Sequence, residues 1–146
     1  MENPLTADLN TSLQYPGVAR RVKALFTDTL VMMLFMVLFT ALFAQFEKAA
    51  DVARIIAIVF IFLLYDPLFT SFTGATIGHR LFGLRVRDEQ EPTKNIGFFK
   101  AFLRFLMKAF LGWISLLTVH GNPKRKAMHD MAVGSVVVFA REEVTG

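Results

Sequence analysis

The chain has no cysteine, which excludes disulfides, thiolate metal ligands and a cysteine nucleophile and leaves the redox compartment open. It also lacks a phosphate-cradling GxxxxGKS/T loop, an HExxH pair and a Ser-x-Gly elbow. Its three histidines, His79, His120 and His129, show no metal-site spacing. No nucleophile and base constellation stands out, so neither enzymatic activity nor a cofactor or metal is expected. Residues 1–19 contain Glu2, Asp8 and two prolines and lack the basic start and short apolar core of a cleavable signal peptide. The first apolar run is therefore expected to stay in the mature protein.

What the chain has in abundance is apolar surface: 54% of its 146 residues are hydrophobic, with 16 Phe and 7 Met. That balance suits a small integral membrane protein better than a soluble domain. From Ala24 to Phe46 the only charge is Asp28, and a run of this length spans about 30 Å of hydrocarbon. The short polar link "EKAAD" (Glu47 to Asp51) leads into a second run, Val52 to Phe72, with Arg54 at its start and Asp66 in its later part. Two spans with a tight link make a helical hairpin. Of the 16 Lys and Arg, Lys48 and Arg54 lie at the linked end, while Arg20, Arg21, Lys23, Arg80, Arg85 and Arg87 flank the other. The positive-inside rule then puts both termini in the cytoplasm. The net charge of +4 reads as a topology signal and not as a nucleic-acid footprint, since no recognition module accompanies it.

After the hairpin, "GATIGHRLFGLRVRDEQEPTKN" is glycine-rich and then charged, so the chain has left the bilayer. Its "LRVRD" alternates apolar and charged residues as a half-buried strand does, and "SVVVFAR" (Ser135 to Arg141) is a second β-rich piece; the two are expected to pair as a short cytoplasmic ladder. Between them, residues 96–120 place Lys100, Arg104 and Lys108 four apart on one helical face. Lys108 to His120 covers only about 17 Å, too short to cross, so an interfacial or re-entrant helix is expected. Gly112 and Trp113 mark a bend and an interface anchor. The fold class that follows is an all-α membrane protein, a two-span hairpin with a third amphipathic or re-entrant helix and a short β ladder.

An unpaired carboxylate in hydrocarbon costs a few kcal/mol or more, so Asp28 and Asp66 need partners. Arg21 lies seven residues before Asp28 and shares its face, but that spacing is about 10 Å of rise. Direct contact is not expected, and a third element should bridge them. Counted from the cytoplasmic side, both carboxylates lie at a similar level, about 6 and 9 Å deep. Pro67 follows Asp66 and should kink its helix, leaving a small polar pocket in the cytoplasmic half. Lys100, Arg104 and Lys108 either neutralise Asp28 and Asp66 as buried pairs or line an ion site with them. His129 and Asp130 are adjacent and do not face each other on a helix; a helix-terminal acid bound by local donors or a basic partner is the simpler reading. Gly74 and Gly78 have small-xxx-small spacing, which marks either close helix contact or a turn.

Three segments in order carry a resemblance: "ARRVKALFTD" with Arg21 and Asp28, "TGATIGHRLFGLRVRD", and "NPKRKAMHDMAVGSVVV" with Asp130. Together they resemble the RDD family of bacterial membrane proteins, named for one arginine and two aspartates, over about residues 16 to 140. His79 stands where the family usually has Lys, and Ser135 where it usually has Thr. Asp66 belongs to no family motif. The resemblance implies transport of an ion (H⁺ or Na⁺) or small ligand through a polar intramembrane site, in the bacterial inner membrane. Few short helices enclose little volume, so a homo-oligomer is expected. The alternative is a non-transporting membrane adaptor whose Arg and Asp network is structural and whose basic cytoplasmic face recruits anionic lipid or a protein partner. The domain limits that follow are a polar N-terminal segment (1–19), one membrane domain (20–141; spans about 24–46 and 52–72, third helix about 96–120) and a tail (142–146).

Overall fold

The structure, a computed structural model, describes residues 14–46 and 51–140. Two long helices come first, α1 (Val18–Ala44) and α2 (Asp51–Thr73), and both are long and apolar enough to cross a membrane. Their apolar side chains point outward over most of their length: Phe26, Val37 and Leu38 on α1 and Ile55, Phe60 and Phe72 on α2 are all at least half exposed. A soluble core helix would bury these groups; here the exposed surface matches a hydrocarbon solvent. Tyr65 of α2 meets Asp28 of α1, and Arg54 near the start of α2 reaches the carbonyl of Phe43 near the end of α1. The link between them, residues 47–50, lies outside the described residues.

A five-residue helix α3 (Ile77–Leu81) follows, then β1 (Leu84–Asp88), α4 (Phe98–Leu111), a 3₁₀ segment (Gly112–Val119), a short α5 (Met128–Val133) and β2 (Ser135–Phe139). The two strands pair antiparallel with Val86 opposite Val137, so the expected ladder is present; its second strand is Ser135–Phe139, and Arg141, to which the expectation extended, lies outside the described residues. In β1 the expected alternation holds: Leu84 and Val86 are buried while Arg85 and Arg87 are less so. Leu84, Val86 and Val137 pack with Ala24 of α1, Ile96 and Ala101 into the core. The strand also closes the end of α2. Arg85 donates to the Thr73 carbonyl at 2.6 Å and Asn95 to the Phe72 carbonyl at 3.1 Å, satisfying acceptors that a helix C-terminus leaves open.

Residues 96–120 do not form one helix. α4 stops at Gly112, whose φ of +52° suits glycine, and the chain continues as 3₁₀. The bend falls where the sequence placed it; the side chain of Trp113 lies outside what is described. α4 turns its charge inward: Arg104 is 1% exposed, whereas Phe99 and Phe110 are 89% and 85% exposed. Fourteen residues give about 21 Å of helix, less than the hydrocarbon thickness.

Gly78 is the point of closest approach between α1 and α3. A Cβ there would press into the Ala24 carbonyl and come within 2.8 Å of the Asp28 carboxyl carbon. The contact reading of the glycine pair thus applies to Gly78, while Gly74, with φ +72°, is a turn residue. Gly78→Ala is expected to cost about 1–3 kcal/mol through overpacking. Gly97→Ala, in open space, should stay within about 0.5 kcal/mol. Thermal unfolding of the purified variants checks this, and equal melting of the two would refute the close contact.

Candidate functional site

The site grows from the carboxylates that the apolar helices carry inward. Asp28, 5% exposed, is held by neutral donors. Its Oδ1 accepts from the Gly78 backbone N–H at 2.8 Å and the Tyr65 hydroxyl at 3.0 Å, and its Oδ2 accepts from the Thr76 hydroxyl at 2.6 Å. His79 Nδ1 stands 3.5 Å from Oδ2 and 2.6 Å from the Thr76 hydroxyl. Thr76 caps α3 by accepting from His79 N–H, the Ile77 N–H goes to the Tyr65 hydroxyl, and the Gly78 N–H of the same first turn is left to the carboxylate. This corrects the expectation that Lys100, Arg104 or Lys108 neutralises Asp28. The stripe repeats every four residues, but only Arg104 and Lys108 reach α2, and they meet Asp66 instead.

Asp66, also 5% exposed, pairs with Lys108 through Oδ2, accepts from the Thr70 hydroxyl at 3.2 Å and lies 3.8 Å from Arg104. Lys100 stands apart, bound to Asp88 at the end of β1 at 2.5 Å and nearly half exposed. It is not part of the buried cluster, because it sits one turn nearer the start of α4, beside the sheet.

Arg21 does not reach Asp28; it pairs with Asp130 and donates to the Arg125 carbonyl at 2.7 Å. Asp130 is fully buried and is the junction of the molecule. It accepts from Arg21 of α1, from Arg104 Nε of α4 at 2.9 Å and from Ala127 N–H at the start of α5 at 3.3 Å. Burial alone would raise its pKa; Arg21, with Arg104 behind it, holds the carboxyl well below the usual carboxylate range. His129 beside it is pushed down to about 3, by burial first and against the pull of Asp130 3.5 Å away. Its ring nitrogen instead bonds the Ser115 hydroxyl at 2.5 Å.

Arg21, Asp66, Asp130, Arg104 and Lys108 thus come together as two linked clusters, with Arg104 against both Asp66 and Asp130, while Asp28 sits apart among neutral donors and His79. Tyr65, Thr76, His79 and Ser115 were not anticipated. Thr76 had a local signal, a threonine three residues ahead of His79 at a helix start; the others depend on distant contacts. A cleft of about 280 Å³ opens among Met32, Met36, Phe62 and Phe105, with Asp28, Asp66 and Lys108 in its wall. Among the described residues no three His, Asp or Glu side chains converge as a metal would require. What the arrangement can do is set one ion pair, Asp66 and Lys108, beside Asp28 in the wall of a largely apolar cleft.

Residues 15–134, most of the chain, match the RDD family. The chain belongs to the RDD family. The Arg21 to Asp130 pair joins the arginine to the second of the aspartates that the first and last family-like segments carry, while Asp28 is held by the middle segment. Family membership and two apolar helices together suggest a membrane protein. No curated protein and no solved structure gives a significant match to this RDD chain.

Two outcomes follow. Asp130→Asn leaves two buried guanidinium groups short of charge and is expected to cost about 3–5 kcal/mol. Asp28→Asn, among neutral donors, is expected to cost about 1–3 kcal/mol; a reversed order in thermal unfolding would contradict the assignment. Acid should also destabilise the fold. An unfolded histidine takes a proton near pH 6.5 that buried His129 refuses until about 3, so stability falls as pH drops through that window. Burial depresses His79 in the same sense, and the lowered Asp130 adds its loss as pH falls below the ordinary aspartate value. Each group contributes a slope of up to about 1.4 kcal/mol per pH unit. His129→Gln should remove one proton's share of that slope, and an unchanged slope would show that His129 is not buried neutral.

Proposed function

We propose that this RDD protein is a small ion-transport subunit of the bacterial inner membrane, with Asp66 and Lys108 as its exchange pair. The observation that carries the reading is the Asp66–Lys108 pair in the wall of the apolar cleft. A proton or a sodium ion entering the cleft competes with the Lys108 ammonium for the same carboxylate. Both cannot occupy it, and mutual exclusion at one group is the physical requirement for exchange. Lys108 is the exposed partner, at 16%, and its stem can swing the charge away from Asp66. Asp28 lies across the cleft with its oxygens already engaged, so it sets the local negative field and does not itself exchange.

In this reading α1 and α2 form a transmembrane hairpin with both termini in the cytoplasm, and α4 with its 3₁₀ extension is a re-entrant helix that closes the cleft. The outward phenylalanines of α4 and its inward charge favour that placement. The pathway needs a homo-oligomer, since so few helices enclose little volume, and no catalytic step is assigned. A second reading, the non-transporting adaptor, draws on the saturation of Asp28 and Asp130 by hydrogen bonds and on exposed Arg20, Lys23, Arg80 and Arg125. Such a basic face suits anionic lipid.

Sealed liposomes containing the purified protein separate the two. The expected result is sodium-driven proton movement, lost by about tenfold or more in Lys108→Gln and Asp66→Asn, with Lys108→Gln retaining its fold by thermal unfolding. Wild-type flux at the protein-free background would remove transport and leave the adaptor.

A further inference from the structure

The charged cluster leaves two guanidinium N–H groups without an acceptor, Arg104 Nη1 and Arg21 Nε. Their side chains are 1% and 4% exposed, and Arg104 Nη1 is 3.8 Å from Asp66, beyond hydrogen-bond reach. An orphaned charged donor at that depth is costly. Both residues line a cavity of about 20 Å³, together with His79, Lys108 and His129. Among the described residues its wall holds three cations and no carboxylate. Room of this size suffices for one small occupant. Leu25, Lys108 and Gly112 line both this cavity and the cleft, so Lys108 stands where the two meet.

We propose that this cavity binds one monovalent anion of chloride's size between Arg21, Arg104 and Lys108. A cation is excluded from it by the same three charges, so the site is distinct from Asp66 although it shares Lys108 with the exchange pair. Charge balance then dictates a companion. Within the cluster the cations Arg21, Arg104 and Lys108 already match the buried carboxylates Asp28, Asp66 and Asp130 one for one. An entering anion therefore brings a proton. His79 is the group placed to take it, because Asp28 alone among these carboxylates has no Lys or Arg on it and His79 Nδ1 is 3.5 Å away. The charged and titratable groups around His79 are Asp28 and Arg21 of α1, Asp66 and Tyr65 of α2, Arg104 and Lys108 of α4, and His129 of α5. Arg21, Arg104 and Lys108 oppose a proton on His79 until an anion screens them. Anion binding accordingly tightens as pH falls.

Thermal unfolding of the full chain in detergent tests this, in sodium chloride, bromide or gluconate at equal sodium concentration. Holding sodium constant keeps any failure here separate from failure of the cation reading. Chloride and bromide are expected to raise Tm by about 4 °C over gluconate at saturating concentration. The shift should be larger near about pH 6 than about pH 8. Leu116→Phe, which fills the cavity from an apolar wall position, should abolish the anion shift, as should Arg104→Lys, which keeps the charge and removes Nη1. His79→Gln should abolish its pH dependence. The same Tm in all three salts for the wild type, meaning an occupant that is water only, would overturn the proposal; so would an anion shift that survives Leu116→Phe.

Discussion

The structure depends on keeping one guanidinium dry. Arg104 is 1% exposed and lies against both Asp130 and Asp66. Desolvating such charges is expensive, and the attraction between them offsets that expense only while the geometry and remaining hydrogen bonds are intact. The elements that meet here are therefore not interchangeable supports. α1 brings Arg21, α2 brings Asp66, α4 brings Arg104 and Lys108, and α5 brings Asp130. Removing any one strands a charge in a place that water reaches poorly. A buried ion network of this kind is weak as a source of net stability but strong as a means of fixing which helix sits against which.

That constraint explains the inside-out character of the molecule. Polar groups face inward and phenylalanines face outward along α1, α2 and α4, the reverse of a soluble bundle and the arrangement a hydrocarbon solvent favours. The small sheet belongs to the same logic. β1 supplies Arg85 to close the end of α2, and β2 follows directly on α5, whose Asp130 carboxylate also accepts from Ser135 at 3.4 Å. The strands and α5 thus close over the charged cluster.

Much of this was legible in the sequence, for local reasons. The long apolar runs announce their helices, "LRVRD" announces its strand by alternation, and Gly112 announces the break in the third helix. The pairing within the cluster was not legible. Arg21 and Asp130 are 109 residues apart and Asp28 and Gly78 are 50 apart; no periodicity within one helix specifies such contacts. The basic stripe on α4 predicted the right chemistry for Asp66 and the wrong partner for Asp28. Helical spacing says which residues share a face, not how far along that face the neighbouring helix reaches.

The contrast between Asp28 and Asp66 is then a matter of donors. Asp28 takes three hydrogen bonds from groups that carry no charge, one of them a backbone N–H at the start of a helix. Such dipoles cannot be displaced by a passing cation, because they are fixed to the backbone or locked by their own partners. Asp66 is held by an ammonium on a flexible stem and by a guanidinium that is shared with Asp130. Of its two basic partners, Lys108 is the one in the cleft wall. One carboxylate is saturated by fixed neutral donors and the other is held by a cation on a flexible stem, and the exchange proposed above draws on that difference: a fixed charge defines the field and a pair with one movable partner responds to it.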